Sequence, residues 1–537
     1  CWTTVCRTAF SLIIGVAQDF SVEILDRNGE TVASNPRGQP SFDLCMPIAL
    51  RALLKRFPRE ALAPGDVLIT NDPWLVAGHL DDVAVMIPIF KGGEVVGFVG
   101  VMGHVTDIGG NKRGGAAELF EEGLQIPPLK LYKAGQLNED LFHVISSNVR
   151  ETEQVIGDIM ALVGSGEIGA RAVSDLLDEY GLRNLDAFSA IAQRRSEDAM
   201  RKAIAAVPNG RFSSEISVDI GGQLTRLPVT IEVLDDSIVV DLEGTPPQME
   251  KGGYNSSYNY TAARAKNPLK CLLTPHVRAN EGCYRPIEVR VPKGSLLDCE
   301  RPYAVRDRVV SGWNVTPLVL SAMAEPLPTR AQAFSGYPSS MTFYGRDENG
   351  TFSDYLMCGG GQGASAEADG KSGLLFPTSS ANTSVELTEV RVPVVVEEKC
   401  FVADSGGAGK QRGGLAQRIR VRKLVDDGFP LTVGVLPAGV DLEIPSMFGG
   451  KPGAPISVVS SSTPAAAANA GRSAWVLQAP EDHVEVVLAG GHGFGDPALR
   501  SRADIERDIE NGCVTDEAAK AEYGYDAAAK SEPAVAA

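Results

Sequence analysis

The stretch HLDDVAVMIPIFKGGEVVGFVGVMGHVTD, residues 79–107, decides the fold of the N-terminal part of the chain. It holds two continuous apolar runs, VAVMIPIF (83–90) and EVVGFVGVM (94–102), and runs of this length and composition are typical of buried β-strands. Gly92 and Gly93 lie between them and suit the tight turn of an antiparallel hairpin, because glycine accepts the backbone angles that such turns require. We therefore predict a buried hairpin over these residues.

The predicted hairpin brings two of the six histidines close together. With regular pairing from the turn outward, His104 lies across from Asp81 and Gly103 across from Asp82, with His79 near them. Imidazole nitrogens and a carboxylate oxygen are ligands that suit Zn²⁺, Mn²⁺ or Fe²⁺. Neighbours along a strand face opposite ways, so Asp81 and Asp82 do not both face one ion unless the strand bulges. The alternative is that the histidines are hydrogen-bonded sheet residues beside a solvated acidic corner.

Composition and charge limit the class of protein. The 537 residues are 44% hydrophobic, enough for a large core and for roughly two to four domains. The net charge of -18 and the pI near 4.9 argue against a nucleic-acid partner, because phosphate binding needs clustered Lys and Arg. No run approaches the roughly 18 to 20 apolar residues that cross a bilayer, so we expect no membrane attachment.

The cysteines predict a reducing compartment. All nine are scattered without a C-x-x-C pair, which argues against a disulfide framework and against a structural zinc site. We interpret most of them as packed thiols and expect a cytoplasmic location. The sequence opens at Cys1 without a charged and apolar leader, so we expect a missing start rather than a secretory signal.

The pattern of predicted elements changes twice along the chain. Residues 18–33 alternate around a turn and predict a first hairpin, and MPIALRALLKRF after it predicts a helix. Apolar residues then recur at helical spacing from 138 to 207, whereas β-type runs such as VELTEVRVPVVVEE (385–398) dominate later. We predict an α+β, sheet-rich, multi-domain fold, with an N-terminal metal-bearing region at 1–137, a helical segment at 138–207, a β-rich C-terminal region at 208–517 and a poorly ordered tail at 518–537.

Six blocks of the sequence together resemble the hydantoinase B / oxoprolinase B family. The blocks, which occur in the family's order, are NDPWLVAGHLDDVAVMIPIF, GFVGVMGHVTDIGG, EEGLQIPPLKL, NVRETEQVIGD, NEGCYRPIEV and DSGGAGKQRGG. The resemblance runs from about residue 7 to residue 497, nearly the whole chain. The family includes the second subunit of ATP-dependent hydantoinases and lactamases, and related subunits of acetone and acetophenone carboxylases.

The resemblance implies a site and a partner. His79 and Asp82 of GHLDD and His104 of GHVTD stand where the family holds a divalent metal ion, and Asp19 of the early DFS element is a further ligand. Asp81 departs from the family, which usually has Pro at this position. The resemblance also implies a hetero-oligomer, in which a hydantoinase A-type partner binds ATP and Mg²⁺ and phosphorylates a small-molecule substrate.

Two further patterns have competing interpretations. Asp107 is a candidate catalytic residue that orients a ligand histidine or takes a proton from water, but capping of the following glycine turn explains it equally well. The glycine-rich loop at 406–414 and the Gly370-Lys371-Ser372 string both lack the spacing of a phosphate-binding loop. These glycine patterns agree with an ATP site on a partner protein.

The function that the sequence and the resemblance favour is hydrolysis of a cyclic amide after phosphoryl activation by the partner. A hydantoin, a lactam and 5-oxoproline are substrates of this kind. An ATP-dependent ketone carboxylase of the acetone or acetophenone type is the alternative within the family. Outside the family, a metal-dependent amidohydrolase that works alone and a noncatalytic scaffold with a structural metal both stay open.

Overall fold

The computed structural model of the chain describes residues 1–111, 114–337, 339–348, 350–438, 442–461 and 471–526. Its helices are α1 (Trp2–Thr8), α2 (Leu12–Gly15), α3 (Pro40–Arg56), α4 (Glu139–Asn148), α5 (Thr152–Glu179), α6 (Asp186–Ile204), α7 (Tyr258–Leu273), α8 (Glu281–Tyr284), α9 (Val309–Gly312), α10 (Val315–Ala322), α11 (Val385–Arg391), α12 (Arg502–Glu510) and α13 (Asp516–Tyr523). Its strands are β1 (Phe20–Asp26), β2 (Thr31–Ser34), β3 (Val67–Thr70), β4 (Asp82–Lys91), β5 (Glu94–His104), β6 (Leu129–Lys133), β7 (Gln136–Leu137), β8 (Gly210–Ile220), β9 (Gln223–Val233), β10 (Ile238–Asp241), β11 (Ile287–Arg290), β12 (Ser339–Asp347), β13 (Gly350–Cys358), β14 (Val394–Phe401), β15 (Gln417–Lys423), β16 (Leu431–Ala438), β17 (Leu442–Glu443), β18 (Ser457–Ser460), β19 (Gly471–Leu477) and β20 (His483–Val487).

The N-terminal sheet has the strand order β2-β1-β5-β4-β3-β6-β7, and its neighbouring strands are antiparallel. Its central strand β4 is buried on both faces. Ile87 lies in the core that includes Leu162 of α5, whereas Met86 lies in the core that includes Leu50 of α3. Burial on both faces explains why β4 is a continuous apolar run rather than an alternating one. The predicted buried hairpin of β4 and β5 is confirmed.

The register of this hairpin differs from the prediction by one residue. Pairing at the glycine turn is as predicted, but the ladder shifts between Ile89 and Phe90, where β5 carries one extra residue. Beyond this bulge, His104 is opposite Asp82 rather than Asp81. A bulge adds a residue to one strand only. Each later residue of that strand therefore lies opposite a partner one position away from the predicted one.

Helices α4, α5 and α6 lie in the interval for which helices are predicted. The 28-residue helix α5 packs on the hairpin of β4 and β5. A Cβ at Gly166 of α5 would lie 2.2 Å from Cδ1 of Ile87, so this helix approaches the sheet more closely than a larger residue allows. None of the described helices is both long and apolar enough to span a bilayer.

A second sheet has the order β11-β10-β9-β8-β17 and packs with α7 and α10. Its core includes Ile231 of the sheet, Leu269 of α7 and Leu318 of α10. Only strands are predicted in this region from the sequence, so α7 and α10 correct that prediction. In α7 the polar residues Asn259 and Arg264 are buried among apolar ones, and the helical spacing of apolar residues is therefore obscured.

Two four-stranded sheets, β13-β12-β16-β19 and β14-β15-β20-β18, share a core of their own. Phe343 and Val433 enter it from the first sheet, and Val421 and Val486 enter it from the second. We call this unit the C-terminal sandwich. Together with the helical segment and the first two sheets, it confirms the predicted α+β, sheet-rich, multi-domain fold.

The segment 385–398 differs from the predicted strand in its first half. Its residues Val385–Arg391 form α11, and β14 begins only at Val394. The Ser384 side chain accepts a hydrogen bond from the N–H of Leu387 and so caps the helix. A local helix-start signal therefore outweighs the β-propensity of the valines that follow.

Glycines from four loops pack against one another beside the C-terminal sandwich. We call this contact the glycine-rich layer, and its members are Gly361, Gly363, Gly370, Gly406, Gly407, Gly413, Gly414, Gly450, Gly453, Gly490, Gly491 and Gly493. A Cβ at Gly413 would lie 1.8 Å from the carbonyl oxygen of Gly491. The N–H of Gly407 donates to that same oxygen at 2.8 Å. The loop at 406–414 is therefore glycine-rich because other backbone segments approach it closely.

The C-terminal end of the described chain is helical, which corrects the expectation of a tail from residue 518. Helices α12 and α13 pack around Ile505, Val514 and Ala519. The Thr515 side chain accepts a hydrogen bond from the N–H of Ala518 and caps α13. Residues 527–537 of the predicted tail lie outside the described residues.

Substitution in the glycine-rich layer should destabilise the chain strongly. In Gly413→Ala the new methyl group overlaps the carbonyl oxygen of Gly491, which cannot shift without moving the rest of the layer. We therefore expect the apparent melting temperature to fall by roughly 5 °C or more. Gly164→Ala in α5 is the matched control, because its Cβ has open space and alanine favours helix by about 1 kcal/mol. Differential scanning fluorimetry measures both, and equal melting temperatures for Gly413→Ala and the wild type would contradict close packing of the layer.

Candidate metal centre

The hairpin brings His79, Asp82 and His104 together. His79 lies just before β4, Asp82 is the first residue of β4, and His104 is the last residue of β5. Nε2 of His79 is 2.8 Å from Oδ1 of Asp82, and Nδ1 of His104 is 3.5 Å from the same oxygen. One ligand atom from each residue lies within 4.8 Å of the other two. We call these three residues the His-Asp-His cluster.

Asp19, the fourth predicted ligand, lies beside the cluster because β1 pairs with β5. The N–H of His104 donates to the Asp19 carbonyl at 3.1 Å, and Oδ2 of Asp19 is 3.8 Å from Nδ1 of His104. Gln39 donates a hydrogen bond to Oδ1 of Asp19 at 2.8 Å. Burial raises the pKa of Asp19 to about 7, and the negative charge of Asp82 adds to the rise.

Arg308 compensates the buried charge of Asp82. Burial raises the pKa of Asp82 to about 6, while the positive charges of Arg308 and His104 oppose that rise. Arg308 donates to Oδ2 of Asp82 at 3.1 Å and, through Nε, to the carbonyl of Ala77 at 2.6 Å. The same guanidinium therefore holds both the carboxylate and the loop that carries His79. Gly78 in this loop has φ of +92°, and a Cβ there would lie 2.7 Å from Cδ of Arg308.

Asp81 lies on the other side of His79. Its Oδ2 is 3.5 Å from Nδ1 of His79 and accepts a hydrogen bond from Arg306 at 3.3 Å. A carboxylate beside the second ring nitrogen of a ligand histidine fixes its tautomer and orientation. Of the two neighbouring aspartates, Asp82 therefore faces the cluster and Asp81 positions His79.

Arg306 and Arg308 are functional residues that the sequence does not reveal. The loop that carries them is fixed by the buried carboxylate of Glu122, which accepts hydrogen bonds from the N–H groups of Val305 and Arg306. Burial raises the pKa of Glu122 to about 7, while the hydrogen bonds from the Arg306 backbone oppose the rise. The only local signal is an Arg-Asp-Arg string beside apolar residues, a pattern that solvated loops also contain.

The His-Asp-His cluster lies in the wall of a cavity of about 140 Å³. Side chains from α7, from the segments that follow α9 and α10, and from β12 and β13 complete the wall, and they include Tyr260, Arg264, Trp313, Tyr337, Thr342 and Tyr355. The Tyr355 ring meets the His104 ring edge-on, with 5.7 Å between their centroids. A pocket with aromatic walls and a few converging polar groups is typical of a site for a small molecule.

Asp107 is not among the residues that line the cavity. It is buried, and its carboxylate accepts hydrogen bonds from the Arg150 guanidinium at 2.8 Å and from the Arg150 N–H at 2.5 Å. These contacts hold the segment between α4 and α5 and leave the predicted role in proton transfer without support.

His492, which is not predicted to lie in the site, packs edge-on against Phe334 with the ring centroids 5.1 Å apart, and burial lowers its pKa to about 4.

The donor set of the cluster fits a divalent transition-metal ion. Two imidazoles and one carboxylate converge from three backbone positions, and this mixture of nitrogen and oxygen ligands suits Zn²⁺, Mn²⁺ or Fe²⁺. Oδ1 of Asp82 is buried, and the two ring nitrogens that lie 2.8 and 3.5 Å from it do not have the geometry of hydrogen-bond donors to it. A buried anionic oxygen costs free energy unless it is hydrogen-bonded or coordinated, so a bound cation would stabilise the arrangement.

Comparison with known proteins finds one family and several relatives. Residues 1–497 match the family described as Hydantoinase B/oxoprolinase. The chain is 28% identical to the beta subunit of caprolactamase from Pseudomonas jessenii, over 96% of this chain and 92% of that protein. It is 26% identical to the B subunit of a putative D-/L-hydantoinase from a Pseudomonas species, over 96% and 91%. It is 30% identical to 5-oxoprolinase 1 of Arabidopsis thaliana over 81% of this chain, a match that spans 35% of that longer protein.

Two solved structures resemble the chain in fold. The crystal structure of ATP-dependent caprolactamase from Pseudomonas jessenii aligns with a TM-score of 0.84 and 25% identity, over 98% of this chain and 94% of that chain. A nucleotide-free structure of acetone carboxylase aligns with a TM-score of 0.83 and 17% identity, over 97% and 77%. The second likeness concerns the fold alone.

Loss of a cluster histidine should remove a bound metal. We expect His104→Ala and His79→Ala to lose most of the divalent metal that the purified chain carries, because each removes one of three converging ligands. Metal content is measured by inductively coupled plasma mass spectrometry. His143→Ala, at an exposed histidine of α4, is the matched control and should keep its metal. A folded His104→Ala protein with the metal content of the wild type would contradict the site.

The neutral substitution Asp81→Asn should weaken metal binding without changing the ligand set. An amide holds the second nitrogen of His79 less firmly, so we expect the metal affinity to fall by about 10- to 100-fold. Competition with a chromogenic chelator measures the affinity. Asp140→Asn, at an exposed aspartate of α4, should bind metal as the wild type does. Equal affinities for all three proteins would show that Asp81 has no part in positioning His79.

Proposed function

The chain belongs to the hydantoinase B/oxoprolinase family, and we propose that it is the metal-carrying subunit of a two-component, ATP-dependent enzyme that opens a cyclic amide. The observation that carries this proposal is the His-Asp-His cluster in the wall of an aromatic cavity. We propose His79, Asp82 and His104 as ligands of a divalent ion, with Asp19 as the fourth. When bound, such an ion supplies Lewis acidity, which polarises an oxygen of the substrate and acidifies water.

The chain's own residues prepare the site for this chemistry. Arg308 keeps Asp82 ionised and near His79, and Asp81 orients the same imidazole from its other nitrogen. The rings of Tyr260 and Tyr355 exclude bulk water from one side of the cavity. Exclusion of water strengthens each electrostatic interaction inside, because the local dielectric constant falls.

We propose that a hydantoinase A-type partner binds ATP and Mg²⁺ and activates the substrate. The γ-phosphoryl group passes from ATP to the amide oxygen and ADP leaves. Water then adds to the activated carbon, and the C–N bond breaks as the ring nitrogen takes up a proton. A second water releases phosphate from the resulting acyl phosphate and leaves the carboxylate. The caprolactamase and hydantoinase relatives are each named as one subunit of a larger enzyme, which supports a hetero-oligomer. In this chain, the glycines at 406–414 are occupied by close backbone packing, which supports an ATP site outside it.

Ketone carboxylation is the second candidate. The fold of this chain is also that of acetone carboxylase, so the framework alone does not separate the two reactions. In that reaction the activated group would be an enolate oxygen, and the attacking carbon would take up carbon dioxide or bicarbonate. Hydrolysis is favoured because the relatives named above act on, or are named for, cyclic amides.

The decisive assay uses the chain purified together with a hydantoinase A-type partner. We expect ATP consumption that depends on both proteins and on a lactam or a hydantoin, with release of the ring-opened product, and we expect His104→Ala to reduce product formation to background while His143→Ala does not. Bicarbonate-dependent ATP consumption with a ketone would reverse the assignment to a carboxylase. Ring opening without ATP would indicate an amidohydrolase that works alone, and an unfolded His104→Ala protein would indicate a structural metal.

A further inference from the structure

Three arginines line the cavity, and the described structure gives two of them protein acceptors there. Arg306 donates to the carboxylate of Asp81 and to the carbonyl of Asn111. Arg308 donates to Asp82 and to the carbonyl of Ala77. The third, Arg264 of α7, differs from them, because its buried Nε has no hydrogen-bond partner among the described residues.

Arg264 is held by stacking rather than by ion pairs. Its guanidinium lies 4.9 Å from the ring centroid of Tyr260 and 4.7 Å from that of Trp313. Its side chain is only 6% exposed, and its Nε has no hydrogen-bond partner among the described residues. Stacking stabilises the faces of a guanidinium, but its N–H groups lie in the plane of the group and still require acceptors.

The position of Arg264 places an unused donor beside the proposed ion site. It lines the same cavity as Asp19 and Asp82 of the proposed ion site. Arg308 also stacks on Tyr260, with 4.5 Å between its guanidinium and the ring centroid. Two guanidinium groups on one ring repel each other, and an anion in the cavity would relieve that repulsion.

We propose that Arg264 binds an oxyanion of the reacting molecule, either a carboxylate of the substrate or the phosphoryl group added during activation, and so selects anionic ligands at this site. The inference rests on the proposed function and adds a substrate class to it. A planar guanidinium suits this task, because its parallel N–H groups match two oxygens of a carboxylate or phosphate. The aromatic rings on either side fix its plane before the ligand arrives.

Matched ligands test the proposal by isothermal titration calorimetry on the full chain. 5-Oxoproline and 2-pyrrolidinone share a lactam ring and differ in one carboxylate, and inorganic phosphate represents the phosphoryl group. We expect Arg264→Met to weaken the binding of at least one anion by about tenfold or more, as loss of a charged hydrogen bond requires. We expect 2-pyrrolidinone to bind the variant and the wild type equally. The titrations are run on metal-loaded and on chelator-treated protein, so that binding to the ion is separated from binding to Arg264.

Two further variants make the result specific. Methionine keeps the length of the stacked side chain without its charge, and Arg264→Lys keeps the charge without the planar group, so lysine should restore only part of the affinity. Lys270→Met removes a positive charge from the same helix outside the cavity wall and should bind like the wild type. Circular dichroism shows whether each variant is folded. If Arg264→Met is unfolded, Arg264→Lys is compared with the wild type instead.

The outcomes separate the two sources of the anion. Loss of 5-oxoproline binding alone assigns Arg264 to a substrate carboxylate, and loss of phosphate binding alone assigns it to the phosphoryl group. Unchanged binding of both anions by the variants would overturn the proposal, and so would absence of measurable anion binding by the wild type. If ATP-dependent ring opening persists in that case, only the role of Arg264 fails and the proposed function stands.

Discussion

The carboxylate of Asp82 is buried at a point where groups from distant parts of the chain meet. His79 lies beside it, His104 lies across the hairpin, and Arg308 reaches it from 226 residues further along the chain. An ionised carboxylate in such a place costs several kcal/mol unless opposite charges and hydrogen bonds surround it. The position of the hairpin relative to the loop of Arg308 is therefore constrained by electrostatics as well as by packing.

Much of the framework is predictable because it depends on apolar runs and local turn signals. The hairpin of β4 and β5, the helices of the middle segment and the grouping of His79, Asp82 and His104 follow from such signals or from the family resemblance. The bulge in β5 does not, because both faces of the strand are apolar and the pattern fits either register. Arg308 and the buried polar residues of α7 are not predicted either. Their burial depends on residues far away in the sequence, so the residues next to them in the chain give no signal of it.

Three parts of the fold contribute to the wall of the cavity. The N-terminal sheet supplies the candidate ligands, α7 and the loop of Arg308 supply cations and aromatic rings, and the C-terminal sandwich supplies Thr342 and Tyr355. The parts that hold an ion are therefore separate in sequence from the parts that meet the rest of a ligand. The fold is shared with structures of caprolactamase and of acetone carboxylase, and a shared fold does not by itself fix the reaction.

The one-residue bulge gives short insertions and deletions in the hairpin an unusual effect. Loss of the extra residue of β5 would leave two apolar faces for the sheet to bury, so the strand pair could still form. The pairs on either side of the bulge, Phe90 with Val95 and Ile89 with Gly97, would then become consecutive, and His104 would stay opposite Asp82. A second lost residue has no bulge to absorb it, so His104 would then lie opposite Val83, although both apolar faces of the strand would still be buried.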